Sequence, residues 1–400
     1  MDKQKQSIPY IWLAGLSMLG FLATDMYLPA FDIIRGDLAT TESMIGLTLS
    51  IFLFGMAIGQ LFYGRLTQKL GTKKSLIIGL SIFAISSLVA SFSTSVEMLL
   101  VARFFQALGA CSANVIWQAM VIQRYDAKTS QRIFATIMPL VALSPALAPL
   151  LGAAIEKFYG WSMIFVTLTV IGVGLAARTF ADKEPAQAAN SNVKTITFRD
   201  VIKSKKFTGN MLIYAASSAI FFAWLTGSPF VMTQMGYSGA DIGLSYIPQT
   251  IAFIVGGYGC RWALERFESQ KVLPWILKLS VASVVTVFLI SWRMDVSSII
   301  PMLIPFCFLA AANGAVYPIV VNNALMDFKE GSAVASGLLN FLQMLFCVAA
   351  SAMVSSISYL GPISMGSIML LQLVFLFIGA VLVFKSNKEE KMVLQSNNTL

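Results

Sequence analysis

The chain contains no histidine. That removes the usual side chain that titrates near neutral pH, so any proton chemistry falls to carboxylates. Charge is scarce as well. Only 12% of the 400 residues are Asp, Glu, Lys or Arg, roughly half the share found in soluble domains. Hydrophobic residues make up 57%, and mean hydropathy is +0.76. This composition excludes a soluble globular or disordered chain and points to an integral membrane protein. The four cysteines, Cys111, Cys260, Cys307 and Cys347, all fall in apolar runs. They read as small packing residues, not as disulfides or metal ligands. No nucleophile–base pair, metal-ligand spacing or cofactor loop stands out. An enzyme is therefore not expected, nor is a metal or any cofactor beyond protons. No cleavable signal peptide is expected, because the first apolar run is too long and no small-residue cleavage site follows it.

What is present is a succession of long apolar runs. A span needs about 20 mostly apolar residues. Twelve are expected, at 8–32, 44–66, 75–95, 97–122, 132–156, 160–180, 208–235, 240–261, 272–291, 297–326, 332–356 and 362–385. All should be helical, because a backbone facing lipid must satisfy its own hydrogen bonds. Residues 1–180 form one six-helix bundle and 208–386 another. The connection at 181–207 is a cytoplasmic linker, and residues 387–400 form a polar, disordered tail. Pro29 and Pro229, Ala110 and Ala310, and Trp117 and Tyr317 echo each other at an offset of about 200, as a parallel repeat would.

The net charge of +9 is not spread evenly. With the N-terminus inside, 23 of the 28 Lys and Arg fall in cytoplasmic segments or at the cytoplasmic ends of spans. Arg35, Lys157 and Arg293 lie outside, and Arg103 and Lys278 lie within spans. Both termini are then cytoplasmic. The charge is a topology signal, not a nucleic-acid footprint. Lys278 is expected to snorkel to the interface.

Within FLATDMYLPAF, residues 21–31, one carboxylate stands well inside a span. Asp25 lies about 10 Å from the outer end of span 1 at 1.5 Å per residue. Arg103 of span 4 reaches a similar depth. A static ion pair that fixes helix packing is one reading. The other is a proton switch, because burial favours the neutral acid while a nearby cation favours the carboxylate.

Several stretches resemble the Bcr/CflA group of drug:proton antiporters in the major facilitator superfamily. TDMYLPAF is similar to that group's first-span signature. LLVARFFQALGA resembles its Arg-x-x-Gln-x-x-Gly pattern through Arg103, Gln106 and Gly109. LSPALAPLLG resembles the antiporter motif through Ser144, Pro145, Pro149 and Gly152. The resemblance implies an all-α major facilitator fold of twelve helices and gives Gly64, Gln106, Gly109, Pro145, Pro149 and Gly152 structural or gating roles. GRLTQKLGTKK departs from the superfamily pattern, with Gln68 where an aspartate helps hold the halves together. Longer stretches, among them VIWQAMV and ANGAVYPIVV, resemble purine-nucleoside transporters. They imply proton-coupled movement of adenosine, guanosine or inosine across a bacterial inner membrane. The alternative is a broad drug:proton efflux antiporter.

A substrate site is expected near mid-membrane. Its candidates are Asn114, Trp117 and Gln118 of span 4, and Tyr214, Phe221 and Phe222 of span 7. Spans 8, 10 and 11 add Tyr246 and Gln249, Asn313 and Tyr317, and Asn340 and Gln343. Aromatic faces stack on flat bases, and amides pair with their edges. The expected partners are a small molecule and the lipid bilayer, with no nucleic acid, and the protein is expected to be a monomer.

Overall fold

The computed structural model describes residues 9–182, 196–293 and 298–397. About half of the 181–207 linker, residues 183–195, lies outside them, as do the last three residues of the tail. The described chain is all helical. Its elements are α1 (Tyr10–Asp25), α2 (Phe31–Asp37), α3 (Glu42–Leu70), α4 (Thr72–Ser91), α5 (Val96–Arg124), α6 (Ala127–Val141), α7 (Ser144–Tyr159) and α8 (Ser162–Ala181). There follow α9 (Phe198–Lys203), α10 (Lys205–Gln234), α11 (Gly239–Arg266), α12 (Ser269–Trp292), α13 (Ile300–Leu325), α14 (Ser332–Ser356) and α15 (Pro362–Asn397).

Ten helical stretches are long and apolar enough to cross a membrane. The other two expected spans are α11 and the pair α6–α7. Asp241, Tyr246, Gln249 and Arg261 dilute the apolar character of α11. The 132–156 run is not one helix: it breaks at Ala142–Leu143, and each half is then shorter than a full span. Pro145 accounts for the break, having no N–H to donate to the Val141 carbonyl of a continuing helix, and it sits instead in the first turn of α7. The side chain of Pro145 lies outside the described residues.

The first span is broken too. The sequence reading runs one helix over 8–32, but α1 ends at Asp25, and Leu28–Ala30 form a 3-10 turn before α2. Pro29 explains it, having no N–H to donate to a continuing helix. The proline therefore makes Asp25 the last residue of a helix. Between α3 and α4 the chain turns at Gly71, whose φ of +81° favours glycine. At the other end α15 stays helical to Asn397, through most of the segment that polarity alone reads as a disordered tail. Lys, Glu, Met, Leu and Gln dominate that segment, and all are good helix formers.

The chain divides into two compact units. The first comprises residues 1–124, 140–197 and 328–341, and the second 125–139, 198–327 and 342–400. In the first, α5 packs on α1, α3 and α4, and α4 packs on α8. Glycines set the close approaches: a Cβ on Gly109 would overlap the backbone of Phe83 and Gly79, and one on Gly79 would overlap Ser112. In the second, α10 packs on α13 and α15, α13 on α11 and α12, and α12 on α15.

The unit boundaries differ from the 1–180 and 208–386 bundles at two places. Residues 328–341, from the second sequence half, sit in the first unit because α3 has room for their backbone. A Cβ on Gly337 would meet the carbonyl of Gln60, and one on Gly64 would lie 3.2 Å from the Ala333 carbonyl. Residues 125–139 join the second unit in the corresponding way. A Cβ on Gly257 would meet Pro139, Arg261 Nη1 donates to Thr136 Oγ1 at 3.0 Å, and Gln131 Nε2 donates to Asn323 Oδ1 at 3.3 Å.

Candidate functional site

In the first unit the site is built around Arg103, which is fully buried on α5. Its guanidinium carbon lies 4.1 Å from the ring centres of both Tyr27 and Phe52. Such contacts are worth about 2 kcal/mol or more when desolvated. Nη1 donates to the Ala23 carbonyl at 2.9 Å and to Gln106 Oε1 at 2.5 Å. Ala23 lies in the last turn of α1, where carbonyls have no partner within the helix and the macrodipole is negative. Arg103 thus caps the helix that Pro29 interrupts.

The chain of bonds continues outward. Gln106 Nε2 donates to Ser87 Oγ at 2.8 Å, and Ser87 Oγ donates to the Phe83 carbonyl at 2.7 Å. The Tyr27 hydroxyl bonds Thr48 Oγ1 at 3.1 Å. The spacing of Arg103, Gln106 and Gly109 is physically meaningful: positions three apart share a face of α5. The first two span the gap to α1 and α4, and the third lets α4 approach.

Asp25 does not join this network. It is half-buried and makes no hydrogen bond or ion pair with any described residue. The sequence brings Asp25 and Arg103 to one depth, but no ion pair joins them; the arginine is held by a carbonyl, an amide oxygen and two ring faces. On the other side of the break, α7 closes directly on the residue after Asp25. A Cβ on Gly152 would overlap the Met26 carbonyl. Pro149, half-buried, lies one turn earlier on α7.

Gln68 has its own partner. Its Nε2 donates to the Ile196 carbonyl at 2.9 Å. A carboxylate at that position could not make this bond, because an ionised carboxylate only accepts.

The remaining candidates divide between the units. In the first, Gln118 Oε1 accepts from Ser336 Oγ and, at 3.1 Å, from Asn340 Nδ2. Both amides are buried and tie α5 to α14. Trp117 is buried beside them at 1% exposure, whereas Asn114 is half-buried with no hydrogen bond to a described residue.

In the second unit the aromatic residues gather. Tyr317 meets Tyr214 edge-on at 5.4 Å between ring centres, and Phe134 at 6.2 Å. Phe221 lies 5.4 Å from Phe306, which stacks on Trp224 at 4.1 Å. Tyr214, Ser218, Phe221 and Leu225 leave a half-buried stripe along α10 at helical spacing. Asn313 Nδ2 donates to the Ser217 carbonyl at 3.1 Å. Gln249 Nε2 donates to the Ser245 carbonyl at 2.9 Å, and Gln343 Nε2 to Cys347 Sγ at 3.1 Å. Tyr246 is half-buried. Phe222 is 43% exposed and contributes to none of these ring contacts.

Sequence reasoning missed Tyr27, Phe52 and Ser87 around Arg103, and Trp224, Phe306 and Phe134 among the rings. Tyr27 carried a signal, since it lies two residues after Asp25 in TDMYLP. Phe52 and Ser87 carried none, being ordinary residues of apolar helices.

Known proteins resemble the chain along most of its length. The profile of the Major Facilitator Superfamily matches residues 13–351. The MFS-type transporter YdgK of Bacillus subtilis is 28% identical, covering 96% of this chain and 97% of its own. The multidrug resistance protein MdtL of Shewanella oneidensis is 24% identical over 82% and 84% of the two chains. A bicyclomycin resistance protein homolog of Haemophilus influenzae is 26% identical over 86% of each. Among solved structures, the transporter FucP in its outward conformation superposes with a TM-score of 0.77 at 16% identity. The match covers 95% of this chain and 99% of that one, a likeness of fold alone.

Proposed function

The chain belongs to the Major Facilitator Superfamily, and from that premise we propose that it is a proton-driven efflux antiporter of drug-like molecules in a bacterial inner membrane. Its termini are cytoplasmic, it works as a monomer in the bilayer, and Asp25 carries the coupling proton. The observation that carries this reading is the division of labour in the first unit. Arg103 is held by neutral partners, and the half-buried Asp25 beside its helix cap is left without one among the described residues. A carboxylate without a fixed partner can gain and lose a proton while the surrounding packing stays intact. The names of two relatives, for multidrug and bicyclomycin resistance, support drugs as the cargo.

The purine-nucleoside reading is the second one. It rests on the aromatic residues Tyr214, Phe221 and Tyr317 with Asn313 nearby. The hydrogen bonding favours drugs over it. Bidentate recognition of a base edge needs an amide with both its nitrogen and its oxygen aimed at the ligand. Here the amide nitrogens of Asn313, Gln249, Asn340 and Gln343 already donate within the protein, and Gln118 Oε1 accepts twice. Among the candidate amides Asn114 alone makes no hydrogen bond to a described residue, and much of what else stays open is aromatic surface, which suits flat or apolar molecules without reading their edges.

Competition binding to the purified protein separates the two. A lipophilic aromatic cation should displace a labelled drug, and adenosine should not. Displacement by adenosine at comparable concentration, with no effect of the cation, would reverse the assignment.

A further inference from the structure

The face of the second unit formed by α12 and α15 carries a feature that includes none of the candidate site residues. A groove of about 520 Å³ runs between the two helices. Its walls are apolar, with Leu277, Val281 and Val285 on one side and Leu373, Phe377 and Val381 on the other. Both helices are long and apolar enough to cross a membrane. Along α12 the lining runs from Pro274 to Val285. That is about 16 Å at 1.5 Å per residue, close to half of a hydrocarbon core of about 30 Å. The groove therefore has the length of one leaflet.

One charged residue stands in this wall. Lys278 places its ammonium 4.5 Å from the ring centre of Trp275 and forms no ion pair with a described carboxylate. It points back along α12 toward the helix start, at the level of an indole that is 71% exposed. Tryptophan at that exposure marks the headgroup boundary. More positive charge lies at the same end. Lys271 precedes Pro274 by three residues on α12. Lys385 and Lys388 follow Val381 by four and seven residues on α15, continuing the same stripe. All three are exposed, and none is paired with a described carboxylate. The groove is thus greasy along one leaflet's depth and cationic at the mouth.

We propose that the α12–α15 groove binds an anionic glycerophospholipid, with an acyl chain along Val281 and Phe377 and the phosphate held by Lys278 and the lysines at the mouth. Charge decides the class of headgroup. A zwitterionic lipid offers the same acyl chain but brings its own cation toward four ammonium groups. Each lysine near an anionic headgroup contributes on the order of 1 kcal/mol, about 5-fold in affinity.

The test is native mass spectrometry of the full-length protein from mixed micelles of phosphatidylglycerol and phosphatidylcholine. Wild type should retain phosphatidylglycerol in preference to phosphatidylcholine. Lys278→Ala should lower that preference about 5-fold, and the Lys271→Ala, Lys278→Ala, Lys385→Ala, Lys388→Ala variant should abolish it. Val281→Trp, which fills the groove and leaves every charge in place, should lower retention of both lipids; this arm carries the test if the lysine variant does not fold. Equal retention of the two lipids by wild type, an unchanged preference in the lysine variants, or unchanged retention in Val281→Trp would each overturn the site.

Discussion

Asp25 and Arg103 are the two charges deep in the first unit, and the structure treats them differently. Arg103 is locked: two ring faces, a helix-end carbonyl and Gln106 leave it little freedom. A lysine retains the charge but lacks the planar face that Tyr27 and Phe52 cover, so the exchange is not conservative. Arg103→Ala leaves the Ala23 carbonyl and Gln106 without their partner, at a cost of about 1–3 kcal/mol for each group left buried and unsatisfied. Melting temperatures in detergent should therefore fall in the order wild type, Arg103→Lys, Arg103→Ala; an alanine variant as stable as wild type would contradict the capping role. Asp25→Asn removes no observed bond, so its melting temperature should stay near that of wild type. A lone carboxylate in an apolar run is visible in the sequence, and so is an arginine at matching depth. Their separation is not visible, because it depends on Tyr27, Phe52 and the interruption at Pro29.

At the scale of elements, glycine decides which helices touch. Gly109 and Gly152 face backbone at distances no side chain tolerates, whereas a methyl group on Gly174 of α8 would meet nothing within 4 Å. Gly109→Ala and Gly152→Ala should lower the folded yield and melting temperature, by about 1–3 kcal/mol if the helices can shift. Gly174→Ala should be neutral or stabilising by up to about 1 kcal/mol, because alanine is the better helix former. Equal effects from all three substitutions would remove the packing explanation. The motif glycines were legible through the family patterns they resemble; which neighbour they face was not.

The start of α6 offers a second test at this scale. Asp126 accepts from the amides of Lys128 and Thr129 and from the Thr129 hydroxyl at 2.7 Å, which together hold its carboxyl below the usual carboxylate range, the hydroxyl contributing most. Asp126→Ala should cost about 1 kcal/mol, as loss of a helix cap does. Because the folded value is the lower one, the charged cap contributes fully above the unfolded value of about 3.9 and fades as pH falls through the folded value. The gap between wild type and Asp126→Ala in thermal melts should therefore narrow in acid. A gap that widens there would mean the cap is not ionic.

For the whole molecule, the all-helical fold was readable from composition and the long apolar runs, since a backbone facing lipid must satisfy its own hydrogen bonds, as helices do. The breaks in the first and fifth spans were marked by prolines but read as continuous, because proline inside membrane helices often only bends them. The substrate candidates were less legible. Amides look alike in sequence whether they face a ligand or another helix, and Gln118 and Asn340 prove to bond each other.

The function proposed for the molecule makes Asp25 the coupling site of an efflux antiporter, and flux across a closed membrane tests that proposal most directly. Wild type and Asp25→Asn would be reconstituted in proteoliposomes with a fluorescent lipophilic drug, and a pH gradient imposed. Wild type should move the drug against its concentration gradient, opposite to proton flow, and stop when the pH gradient is collapsed. Asp25→Asn should still exchange labelled for unlabelled drug across the membrane, yet show no net response to the pH gradient. Concentrative, gradient-dependent transport by Asp25→Asn equal to that of wild type would contradict the assignment of the coupling proton to Asp25.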